Sequence, residues 1–254
     1  MRTAPGSLGE AGAAASSGLT RTMRPQSDGR SVGGMSADRE GASHRRYIRL
    51  RAEAWGFAVG SLLFALGALP WYADAVGAVA TSATFFVGSL CFTGAGAIQL
   101  LLSGRRPPRA GTARADAYDW WSAAVQSFGT VLFNVSTLAA LVAAVRTPDA
   151  VGAGWRSDAW GSVAFLVSGA LALAAVRRRH ELWRLDARTP EAAWLTMLGS
   201  VAFGASAAGA YVMPETSTFV SLFWANLGTF LGALCFLAAA VLVRPAATVP
   251  ASSR

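Results

Sequence analysis

Lysine is missing altogether from the 254 residues, so all 22 cations are arginine. Charge of either sign is scarce: Asp, Glu and Arg together make up 14% of the chain, against about 25% charged residues in soluble domains. Cysteine and histidine occur twice each. Each shortage excludes something. Cys91 and Cys235 lie far apart in apolar stretches, so neither a disulfide framework nor a Cys-x-x-Cys metal site is present. His44 and His180 fall outside those stretches, leaving no axial ligand for a haem inside a helix bundle. Arginine without lysine, in a chain rich in Ala and Gly, reads as the codon bias of a GC-rich genome. The arginines sit between apolar runs instead of forming a basic face, so no nucleic-acid partner is expected.

What is abundant is apolar side chain, 53% of residues. Residues 1–42 are Gly-, Ser- and Ala-rich without apolar period; they are expected to be a disordered tail, and they hold no signal-peptide core. Met23 or Met35 is an alternative start. A basic juxtamembrane segment, 43–53, follows. Then come six apolar runs, Ala54–Trp71, Ala78–Leu102, Trp120–Val145, Ala159–Val176, Ala192–Val212 and Thr218–Val243, each 18 to 26 residues long and free of ionisable side chains. About 20 helical residues cross the hydrocarbon core of a bilayer. Continuous runs of this length cannot be the alternating strands of a barrel. The expected fold is an all-α membrane protein with six transmembrane helices.

Twenty arginines fall in the tail and juxtamembrane segment, in the segments after the second and fourth runs, and in the C-terminal tail 244–254. The opposite connections hold only Arg146 and Arg156. The positive-inside rule then places both termini in the cytoplasm. Trp55, Trp120, Trp121 and Trp194 flank the spans on that side, and Trp71, Trp160 and Trp224 on the other, as interfacial anchors. Arg45, Arg46, Arg49 and Arg51 stand where anionic lipid headgroups would meet them, although topogenic charge alone accounts for the cluster.

Every run carries the pattern Gly-[Ser/Thr/Ala]-x-x-Phe-x-x-[Gly/Ala/Ser]. Its anchor pairs are Gly60 and Phe64, Gly88 and Phe92, Gly129 and Phe133, Gly161 and Phe165, Gly199 and Phe203, and Gly232 and Phe236. The odd glycines are 69 and 70 residues apart and the even ones 73 and 71. The repeating unit is therefore a helical hairpin, present as residues 54–102, 120–176 and 192–243. Positions i, i+4 and i+7 share one helix face within about 60° of arc. Glycine lets two backbones approach, and the phenylalanine acts as a knob; the Ser or Thr at i+1 can bond back to the preceding turn or across to a neighbour. Pore-lining glycines are the competing reading.

A Trp-x4-Gly-Ser-x2-Phe-x2-Gly pattern in a repeated two-helix hairpin resembles the YrhK-like family of small bacterial membrane proteins. Residues 125–134 and 226–233 carry the same likeness. It covers 54–243 and implies a membrane-embedded hairpin, with no catalytic or ligand-binding residue to carry over.

Intramembrane pumps, proton-coupled transporters and proteases require buried ionisable groups. The runs hold none, so no enzyme and no cofactor are expected. Four amides remain: Gln99 and Gln126 towards the cytoplasm, Asn134 and Asn226 in the outer half. They are either interhelical hydrogen-bonders or a polar lining for a small neutral solute. Cys91 and Cys235 share one motif position, and they would approach each other if the hairpins closed in a pseudo-threefold ring. The expected function is a non-enzymatic structural, scaffolding or regulatory role in a cell membrane, with a small channel or permease as the alternative. Homo-oligomerisation stays open.

Overall fold

The computed structural model describes residues 29–104, 106–147, 152–181 and 188–243, with side chains from residue 41 onward and from 190 in the last stretch. Six helices run in the order α1 (Gly29–Gly67), α2 (Pro70–Ser103), α3 (Arg114–Arg146), α4 (Trp155–Arg178), α5 (Arg188–Gly209) and α6 (Leu222–Val243). Between α5 and α6 lies a small antiparallel pair, β1 (Val212–Met213) and β2 (Thr218–Phe219). The chain divides into two units, Met1–Glu40 and Gly41–Arg254. The second contains the bundle described below.

Several expected boundaries move. Helix α1 starts at Gly29, so part of the stretch expected as tail is helical; residues 1–28 and the C-terminal tail lie outside the described residues. The run Ala54–Trp71 is cut because Pro70 opens α2, which forces Leu69 into an extended conformation and ends α1 at Gly67. Gly77, at φ 80°, breaks α2 into an arm (70–76) and a main helix (78–103). The fifth and sixth runs are trimmed by the turn at Pro214, where Val220 donates to the Tyr211 carbonyl and Ser217 to that of Met213. Five helices, α2 to α6, are long and apolar enough to cross a membrane. Helix α1 is not among them. Its apolar part is confined to 54–67, and a window of 18 residues ending at Gly67 takes in both Arg51 and Glu53.

The surface is distributed as lipid demands. Val131, Val135, Leu138, Val142 and Val145, spaced at helical turns along α3, all point outward. Inside are small residues, hydroxyls and phenylalanine; Ser61, Ser89, Thr130, Ser162 and Ser200 are at most 2% exposed. A water-soluble core would invert that order. Burying hydroxyls is tolerable here because most of them back-bond or reach a neighbouring helix. The expected anchor tryptophans Trp55, Trp71, Trp121, Trp160 and Trp224 are all exposed.

Candidate functional site

The repeated motif comes together as three reciprocal locks. A β-carbon added at Gly60 would lie 2.7 Å from the Phe92 ring, and one at Gly88 would lie 2.9 Å from the Phe64 ring. Gly129 and Gly161 receive Phe165 and Phe133 in the same way, at 2.7 and 3.2 Å. Gly199 and Gly232 receive Phe236 and Phe203, at 2.8 and 3.0 Å. Each glycine thus makes room for the phenylalanine of its hairpin partner. The backbones also touch, since a β-carbon at Gly199 would lie 3.0 Å from the Gly232 carbonyl. All twelve anchor residues named from the pattern take part.

Those six rings then meet on one axis. Phe64, Phe133 and Phe203 form a triangle with centroid separations of 6.3, 5.8 and 6.1 Å. Phe236 adjoins both Phe92 (5.8 Å) and Phe165 (5.4 Å). The first and third hairpins therefore meet directly, which closes a threefold arrangement. The void left among Phe64, Phe92, Phe133, Phe165 and Phe203 is about 10 Å³, no more than a single water needs.

Two of the hydroxyls that follow a motif glycine, Ser89 and Ser162, bond across the seams between hairpins. Ser89 bonds Thr137 of α3 at 2.9 Å, and Ser162 donates to the Phe203 carbonyl of α5 at 3.3 Å. Ser200 bonds back to Thr196, and Thr130 to the Ser127 carbonyl. Ser61 Oγ has no partner among the described residues. The α2–α3 seam is reinforced where Ser127 donates to the Gly96 carbonyl and Asn134 Nδ2 to Thr93.

The four amides do not form one lining. Gln126 accepts from Ser168 within the second hairpin, and Asn134 lies in the α2–α3 seam. Gln99 Oε1 is buried without a partner among the described residues. Of the four, Asn226 lines a cavity that the sequence does not announce. It measures about 390 Å³ and stands on the triangle of Phe64, Phe133 and Phe203 as its floor. It exists because the hairpins are unequal: α3 continues to Arg146, far past Phe133, whereas α1 stops less than a turn after Phe64. Its walls come from α2, α3, α4, α5 and α6, at the end of the bundle away from Arg177–Arg179.

Asp158 is the residue the sequence reading passed over. It stood just outside the expected run Ala159–Val176, yet α4 begins at Trp155 and Asp158 lines the cavity. Gly154, at φ 82°, sets that helix start directly against Ser136, where any side chain would collide with the α3 backbone. Trp155 then ties α4 to α5 through the Ala207 carbonyl at 2.8 Å. The repeat itself held the missing signal. Three residues before the motif glycine stand Phe85 in α2, Asp158 in α4 and Thr229 in α6, and all three line the cavity. Phe85 fills the hollow over Gly67, and Thr229 bonds Ser206 at 2.7 Å. The Asp158 carboxylate has no such partner among the described residues.

At the other end, Arg179 bridges Asp116 (3.1 Å) and Asp119 of α3, closing the second hairpin. The hydrogen bond to Asp119 raises the guanidinium pKa above its ordinary value. Arg45, Arg46, Arg49 and Arg51 are exposed, and Arg51 lies over the Tyr47 ring at 5.8 Å. Both cysteines are free and partly exposed. Ala164, their register equivalent in α4, would be 3.1 Å from a β-carbon at Gly129, within its own hairpin. The contact between the first and third hairpins runs through Phe92 and Phe236, one residue beyond the two cysteines. Among the described residues no three of His, Cys, Asp and Glu are grouped to hold a metal ion. Comparison with family models, with characterised proteins and with solved structures finds no match for this chain.

Proposed function

We propose that the chain is an integral protein of a bacterial cytoplasmic membrane, three tandem hairpins crossing six times with both termini inside, and that its role is structural, scaffolding or regulatory and not enzymatic. The observation that carries the reading is the phenylalanine triangle on the bundle axis, which leaves no room for a file of water. The apolar outer face supports the membrane placement. The arginine asymmetry supports the orientation, with α1 completing the sixth crossing through 54–67, Leu69 and the 70–76 arm. The YrhK-like resemblance rests on the hairpin motif, whose glycines and phenylalanines interlock pairwise. Exposed Arg45, Arg46, Arg49 and Arg51 suit anionic headgroups, each worth about 1 kcal/mol near a charged surface.

A small channel or permease is the second reading, favoured by the cavity that reaches Asn226. The phenylalanine floor stands against it. Flux of small neutral solutes into vesicles holding the purified protein decides between them. The expected result is no flux above that of empty vesicles. Saturable flux, unchanged in Gln126→Leu and lost in Asn226→Leu, would replace the structural role with transport.

A further inference from the structure

The cavity above the phenylalanine floor has the size and composition of a ligand site. Its volume of about 390 Å³ falls within the roughly 300–1,000 Å³ of small-molecule pockets, which are mostly apolar with a few placed polar groups. Here the apolar part is Phe85, Trp155, Phe219 and alanines, and the polar part is Asp158 with a few hydroxyls and Asn226. No cation lines it among the described residues. An unpaired carboxylate in such surroundings is costly, and it is relieved by a positive partner. An acid in the first turn of a helix also gains from the helix dipole. That effect needs no cavity, and it does not explain why Phe85 and Thr229 at the same register are satisfied while Asp158 is not.

We propose that this cavity binds a small organic cation, an ammonium group carrying apolar substituents, with Asp158 as its counter-ion. An anion would meet the carboxylate with nothing to offset it. A neutral guest would at most donate a hydrogen bond and would leave the charge of the carboxylate uncompensated. A divalent metal would find one carboxylate and no grouped ligands among the described residues. An alkylated ammonium matches both halves of the site: the charge faces Asp158, and the substituents face aromatic rings, which attract cations through their π faces. The inference goes beyond the structural role proposed above and is separable from it, because binding is read on purified protein and flux on vesicles.

The test uses the full chain in detergent micelles and radiolabelled benzyltrimethylammonium as probe. Wild-type protein should retain the cation saturably, and excess unlabelled cation should displace it. Its neutral carbon isostere, neopentylbenzene, should not. Asp158→Asn should weaken retention about tenfold or more, and Asp158→Glu should restore part of it. Ala140→Phe, which fills the cavity without altering the carboxylate, should abolish retention and carries the test if Asp158→Asn does not fold. Three results would overturn the proposal: no saturable retention by wild type, equal retention by Asp158→Asn or Ala140→Phe, or equal displacement by the neutral isostere.

Discussion

The ring of Phe165 lies where Gly129 has no side chain, 2.7 Å from the place a β-carbon would take, with the Ala164 methyl 3.1 Å from the same point. Its mirror contact, Phe133 on Gly161, is looser at 3.2 Å. The difference sets an order of sensitivity. Alanine gains about 1 kcal/mol over glycine in a helix interior, whereas overpacking a filled core costs about 1–3 kcal/mol. Gly129→Ala should therefore lower stability, Gly161→Ala should be close to neutral, and Gly94→Ala, which meets nothing within 4 Å, should be neutral or stabilising. Unfolding midpoints in mixed micelles give the ranking. A Gly129→Ala protein as stable as Gly94→Ala would show that the locks are not tight.

Glu53 ends the basic juxtamembrane segment, and burial pushes its carboxyl from 4.5 up to about 7. The folded chain then holds a proton that the unfolded chain releases, so this group's contribution is complete below about 4.5 and is lost as the pH rises through about 7. Stability should fall across that window, by an amount on the order of 2–3 kcal/mol. Glu53→Gln should flatten the dependence. Unfolding midpoints taken across the window provide the check, and a wild-type curve that rises with pH would contradict the assignment.

The periodicity of glycine and phenylalanine was legible because close helix approach in lipid leaves few residue choices, and those choices recur in every hairpin. Hence Gly60 to Phe236 could be named in advance, whereas the threefold closure stood only as a condition on which the approach of two cysteines depended. The helix ends were harder. Whether Trp71 belongs to the first helix depends on Pro70 forcing Leu69 out of helical geometry, a local event that an apolar run conceals. Asp158 was missed for a related reason. Searching for uncharged stretches stops at the first carboxylate, whereas the backbone continues the helix and turns that carboxylate into a cavity between hairpins of unequal length. The cavity is a property of the three hairpins together, and no single segment announces it.

Phe133 stands in the midst of the axial cluster, with centroids 5.0 Å from Phe165, 5.8 Å from Phe203 and 6.3 Å from Phe64. It is also part of the cavity floor. Truncating a buried phenylalanine costs about 3–5 kcal/mol, through lost contacts and an unfilled void. Phe133→Ala should show a loss of that order, while Phe128→Ala, whose ring faces outward, should change stability by less than about 0.5 kcal/mol. The pair separates packing on the axis from general hydrophobicity, because both variants remove the same side chain from the same helix. Equal losses in the two variants would mean that the axial cluster contributes nothing beyond apolar bulk.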